Sequence, residues 1–159
     1  MIIDRKIVKS LDVPEAFLNA EQATLDKVCN GVGTARMNAK LRGVLTDIMF
    51  FIEQSAGIHD WEFTFAEPQN NRTNAKFNEV NWRFLLNGCR EAGIIGTPVY
   101  VSHPLCYFAY LLCKVYGHNA YGVEPPGTTR VARPFITTAL FIMLPVIILM
   151  ITYVNKRKK

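Results

Sequence analysis

Apolar residues recur at helical intervals over most of the chain, and polar stretches with Gly or Pro divide them. After Asp12 and Pro14, the segment EAFLNAEQATLDKVCN reads as one helix that runs to a stop at Gly31. Gly31-Val32-Gly33-Thr34 is a tight connection. Leu41, Leu45, Ile48, Ile52, Ala56 and Phe63 then keep helical spacing, which predicts a longer helix from about Asn38 to Phe65. Gly43 and Gly57 are its two weak points.

Residues 66–73 form the most loop-like stretch, and Thr73 is placed to cap a helix from Asn74 to Ala92 that stops at Gly93. Phe77, Asn81, Phe84 and Gly88 lie along one stripe of that helix. The β-branched run 94–102, interrupted by Pro98, predicts an extended connection. A further helix spans Pro104 to Tyr116 and ends at Gly117. It is apolar nearly all round, which suits either the centre of a domain or a position against lipid. Residues 123–134 then make a Pro- and Gly-containing linker. The fold class is mainly α: a helical domain over 1–122 with an antiparallel helix pair, followed by one C-terminal transmembrane helix.

That last helix is read from FITTALFIMLPVIILMITYV, Phe135 to Val154, which carries no charge. At about 1.5 Å per residue it reaches about 30 Å, the hydrocarbon thickness of a bilayer. Pro145 is tolerated within such a span. Arg133 precedes it and the basic tail 155–159 follows, so the protein is expected in a membrane as a single-pass chain. The basic tail argues for a cytoplasmic C-terminus. The N-terminal segment has no signal-peptide core, which argues for a cytoplasmic domain. The two cues conflict.

The 159 residues allow one domain and an anchor. The net charge of +5 does not mark a nucleic-acid binder, because it is unevenly placed. Up to Glu124 there are twelve basic and thirteen acidic residues, a net of −1, and the excess sits in the tail. Cys29, Cys89, Cys106 and Cys113 show no metal-ligand spacing and read as buried free thiols. Trp61 and Trp82 read as core residues, with a lipid interface as the other option. His103 is expected at the entry of the helix beginning at Pro104, and His118 in a polar turn.

The chemistry-bearing residues are His59, Asp60 and Phe63, followed by Asn81 and Phe84 on the next long helix. His59 and Phe63 share a helical face, while Asp60 points about 100° away. An antiparallel pairing of the two helices brings the His59 and Asn81 faces together. His59-Asp60-Trp61-Glu62-Phe63 with Asn81-Trp82-Arg83-Phe84 resembles the phospholipase A2 superfamily, in its compact bacterial and viral-capsid forms. The longer stretch from His59 to Gly122 is also similar to a phage and bacterial domain family of unknown function with an HD-W-x-Tyr motif.

The first resemblance implies that His59 is the general base toward water and that Asn81 orients its ring. It implies that Asp60 binds Ca²⁺ with carbonyls of a glycine loop, for which Gly31 and Gly33 are the candidates. Two departures weigh against catalysis. Phe63 stands where that family has Tyr, and Asn81 where it has Asp. In a serine protease the same Asp-to-Asn exchange lowers the rate about 10⁴-fold. The leading expectation is therefore a single-pass structural protein of a phage virion or bacterial envelope, with an inactive helix pair. Its partners are the lipid bilayer and other membrane or virion proteins, and not nucleic acid. The alternative is a Ca²⁺-dependent lipid hydrolase.

Overall fold

The computed structural model describes residues 3–29, 43, 46–65, 67–126 and the single positions 138, 142, 145, 149, 152 and 156. Among these the chain is mainly α-helical and has no strand. Gly31 and Gly33, the first residues of the helix expected from Asn38, and most of Phe135–Val154 lie outside the described residues. Within that last segment Thr138, Ile142, Pro145, Leu149 and Thr152 are helical and exposed. Among the described residues no helix is long and apolar enough to cross a membrane.

Three short helices open the chain: α1 (Arg5–Val8), α2 (Glu15–Leu18) and α3 (Gln22–Val28). Asp4 caps α1 by accepting from the Lys6 and Ile7 amides. The single helix expected after Pro14 is thus divided into α2 and α3. Arg5 explains the interruption: its guanidinium donates to the Leu18 and Ala20 carbonyls, satisfying groups that a continuing helix would have used. Phe17 and Leu25 from this layer pack with Val8, Leu11, Ile58 and Trp61.

The helix expected from about Asn38 to Phe65 is also interrupted: Gly43 and residues 46–48 are helical, and a turn follows at Met49. A 3₁₀ turn at Phe50–Ile52 leads into α4 (Glu53–Phe65), so the break lies before Gly57, which is buried inside α4. The break has a long-range cause. The Glu91 carboxylate accepts from the Gln54 amide at 2.9 Å, the Ser55 amide at 2.7 Å and Ser55 Oγ at 2.6 Å. Amides that would otherwise bond back along the chain are taken by a carboxylate at the positive end of α4.

Helix α5 (Asn74–Ile95) starts where Thr73 Oγ1 accepts from the Lys76 amide, as its sequence predicts. It runs through Gly93 and stops at Gly96, whose φ of 79° is the left-handed conformation that closes a helix. The Gly96 and Thr97 amides bond back to the Gly93 and Ala92 carbonyls. The extended connection expected over 94–102 is replaced by the end of α5 and the start of α6 (Val99–Tyr116). Pro98 is already near helical φ at −56°, and its carbonyl accepts from Val101 and Ser102. Pro104 lies inside α6, one residue after His103, which is exposed on the helix and not at its entry. After Gly117 a short helix, α7 (His118–Tyr121), ends at Gly122 with φ of 82°.

Helix α5 is the organising element, packed between α4 and α6. The pairs Ser55–Glu91, His59–Asn81 and Phe63–Phe77 run in opposite order along α4 and α5, which makes them antiparallel. The main core joins Phe51, Ile52 and Ala56 to Phe84, Leu85 and Ala92 of α5 and to Val101, Leu105, Cys106, Phe108 and Ala109 of α6. Gly88 permits the closest approach: a Cβ there would meet Ile52 Cγ2 at 3.2 Å and Cys106 Sγ at 3.3 Å. Helix α6 is therefore buried on one side and exposed on the other, and is not enclosed all round. All four cysteines are free, as expected, but only Cys29 and Cys106 are buried, while Cys89 and Cys113 are partly exposed.

Polar clamps from α4 and α5 hold the N-terminal layer in place. Asn87, buried, accepts from the Asp12 amide at 2.9 Å and donates to the Asp12 carbonyl at 2.7 Å. Gln54 Oε1 accepts from the Asp4 amide at 2.8 Å. Arg83 reaches Asp12 Oδ2 and Glu79 Oε1, each at 3.1 Å, and pairs with buried Glu62.

Candidate functional site

Helix spacing puts His59 on the face of α4 turned to α5, and the antiparallel packing sets it opposite Asn81. His59 Nε2 lies 3.1 Å from Asn81 Oδ1. The amide is held in one orientation, because Nδ2 donates to the Phe77 carbonyl at 2.6 Å. Oδ1 is then the acceptor toward the imidazole, and the ring proton sits on Nε2. Both residues are buried, Asn81 completely.

Aromatic rings flank the imidazole. Phe63 lies 4.2 Å and Phe84 4.7 Å from it, centroid to centroid, both tilted by 39°. Burial pushes the His59 pKa down to about 4, and the Asn81 bond only partly opposes this. The imidazole is neutral at pH 7. As a base it is unprotonated but weak, since proton transfer is most effective when the pKa lies near the working pH. Asn81 orients the ring and supplies no charge to an imidazolium.

The aromatic cluster extends to α7. Phe63 contacts Tyr121 at 5.1 Å and Phe77 at 6.0 Å, and Phe77 stacks on His118 at 4.2 Å. His118, expected in a polar turn, is buried, because α7 folds back onto Phe77. Burial and the nearby Lys114 charge lower its pKa. His118 Nδ1 and the Tyr121 hydroxyl are buried and find no partner among the described residues. Arg72 holds α7 by donating to the Tyr121 carbonyl at 2.8 Å, with its guanidinium 5.1 Å from the ring centre.

Asp60 points away from this cluster, as its place on the helix requires, and is partly buried. Its charge raises the pKa of both Cys29, to about 12, and Cys113, also to about 12, after the larger effect of burial. Cys29 Sγ donates to the Gly57 carbonyl at 3.3 Å. The chain therefore reaches α4 one turn before Asp60, two residues ahead of Gly31. Gly31 and Gly33 themselves lie outside the described residues. Among the described residues, no group of three or more His, Cys, Asp or Glu side chains is arranged to hold a metal ion.

Comparison with family models, characterised proteins and solved structures gives no match. The likeness to phospholipase A2 thus rests on the motif residues themselves. Of these the helix pair brings together His59, Phe63, Asn81 and Phe84, and directs Asp60 elsewhere.

Two buried carboxylates escape a motif reading. Burial pushes Glu91 up to about 7 despite its three hydrogen bonds. Glu62 also rises to about 7 despite the Arg83 ion pair, because desolvation outweighs the attraction. Asn78 and Lys114 add a cross-helix contact between α5 and α6. Only helical phase could have signalled Glu91: it lies seven residues beyond Phe84, about 20° from it around α5.

Proposed function

We propose that the chain is a single-pass membrane protein of a virion or cell envelope whose helical domain is a non-catalytic scaffold. One observation carries this reading: His59 is a neutral, buried imidazole between Phe63 and Phe84, bonded to an amide that is itself committed to a backbone carbonyl. Such a group holds two helices together and is poorly suited to take a proton from water. The uncharged sequence from Phe135 to Val154, bordered by Arg133 and by basic residues after Val154, supports the membrane placement. The test uses full-length protein on phospholipid vesicles with 1-palmitoyl-2-oleoyl chains, with Ca²⁺ and with chelator. No fatty-acid release is expected in either condition. Removing residues 134–159 is expected to transfer the protein from the carbonate-resistant membrane fraction to the soluble one.

A second reading, a Ca²⁺-dependent lipid hydrolase with His59 as base, gains from one feature. Cys29, two residues before Gly31 in the chain, docks beside Gly57, one turn before Asp60. In that reading Asp60 and backbone carbonyls of residues 31–33 would hold the ion, which supplies polarisation of an ester carbonyl. Fatty-acid release that needs Ca²⁺ and disappears in His59→Ala would establish it and overturn the scaffold.

A further inference from the structure

Helices α5 and α6 bury one side of their hairpin and leave an aromatic band on the other. Tyr100, Tyr107 and Leu111 recur at helical intervals along α6, and all are exposed. Trp82 and Leu86 stand beside them on α5, each about half exposed at 49% and 48%. Trp82 meets Tyr110 edge-on at 6.1 Å, and Tyr107 meets Tyr110 at 6.5 Å, so the two helices contribute to one surface.

We infer that this band rests in the headgroup layer of an anionic bilayer, with the α5–α6 hairpin lying along the membrane surface. The inference rests on the membrane placement proposed above. Three features select lipid as the occupant. The exposed rings are mostly Tyr and Trp, which have an apolar body and a polar tip and concentrate at membrane interfaces. The charges at the band complement anionic headgroups: α6 has no acidic residue, and exposed Arg90 and partly exposed Lys114 flank the band. Glu79, the acidic residue nearest Trp82 along α5, is engaged by Arg83 at 3.1 Å.

The third feature is reach. Asn74 Nδ2 donates to the Glu124 carbonyl, which fixes the point where the connector leaves the domain at the start of α5. Trp82 is eight residues along the same helix, about 12 Å away. Residues 125–134 can extend up to about 35 Å. A domain tethered in this way is kept close to the bilayer, with the Trp82 end of the band nearer the tether than the Tyr100 end.

The test reconstitutes full-length protein in vesicles of phosphatidylcholine with phosphatidylglycerol, carrying bromine either high or low on the acyl chains. The protein has two tryptophans, and Trp61 is buried against Phe17 and Phe65. Subtracting the emission of Trp82→Phe from that of the wild type therefore isolates Trp82 without disturbing the core. The Trp82 signal is expected to fall with bromine high on the chain, and to fall less with bromine at its end. The Trp61 signal should change little.

A Trp82 signal unaffected by either lipid, in protein that resists carbonate extraction, overturns the band's role and leaves the membrane placement standing. Quenching in protein that carbonate removes supports the band and overturns the span. Shielding of Trp82 that depends on protein density and not on brominated lipid overturns the inference in favour of a second copy as occupant.

Discussion

Asn81→Asp changes little volume and tests the electrostatics of the helix pair directly. The native amide donates to the Phe77 carbonyl at 2.6 Å and accepts from His59 Nε2 at 3.1 Å. An ionised carboxylate keeps the second bond and sets two acceptors against each other at the first. Relief requires a proton, on either the introduced carboxyl or the imidazole. His59 sits at about 4, so protonating it at pH 7 costs about 4 kcal/mol, at about 1.4 kcal/mol per pH unit. Keeping a carboxyl of reference pKa near 3.9 protonated at pH 7 also costs about 4 kcal/mol. Attraction within a carboxylate–imidazolium pair offsets part of the first, while the Phe77 contact stays unfavourable.

The expected destabilisation at pH 7 is thus about 3–4 kcal/mol. A protonated carboxyl reproduces both bonds of the amide, its O–H donating to Phe77. Its pKa in the folded state is raised, so the variant matches the wild type below about pH 4 and falls behind as pH rises. Urea unfolding of full-length protein in detergent micelles across this range, followed by circular dichroism, measures the difference. Equal stability at pH 7, or a difference that does not vary with pH, would refute a neutral imidazole in a dry helix interface.

Other expectations follow from the same geometry. Glu91 titrates at about 7 in the fold against a reference of 4.5. Its favourable contribution is complete below pH 4.5 and is lost as pH rises through 7, so Glu91→Gln should remove up to about 3 kcal/mol of that decline. Glu91→Ala leaves the Gln54 and Ser55 donors without their acceptor and should lower stability by about 3–5 kcal/mol, read in the same unfolding assay. Gly117→Ala places a Cβ 2.4 Å from the Cys113 carbonyl oxygen and 3.2 Å from Phe77, and should lower the melting temperature by an amount equivalent to about 1–3 kcal/mol.

The sequence made the α4–α5 pair legible because its signals are local. Thr73 is a cap within reach of its helix, and His59, Phe63, Asn81 and Phe84 fall in register by helical spacing alone. The breaks were harder to read, because groups distant in the chain cause them. Glu91 takes the first donors of α4 from 36 or 37 residues away, and Asn87 grips Asp12 from 75. Local composition misled at Val99–Ser102, where β-branched residues beside Pro98 suggest extended chain. The bonds to the Pro98 carbonyl and burial of Val101 and Leu105 draw them into a helix instead. His118 was obscured by its polar neighbours, although Phe77 covers it.

The most direct test of the scaffold account is the titration of His59 itself, followed through its imidazole nitrogen resonances in full-length protein. The account predicts a neutral ring protonated on Nε2 that titrates at about 4 and is unmoved by Ca²⁺. A midpoint at or above the ordinary value of about 6.5, shifting when Ca²⁺ is added, would contradict it.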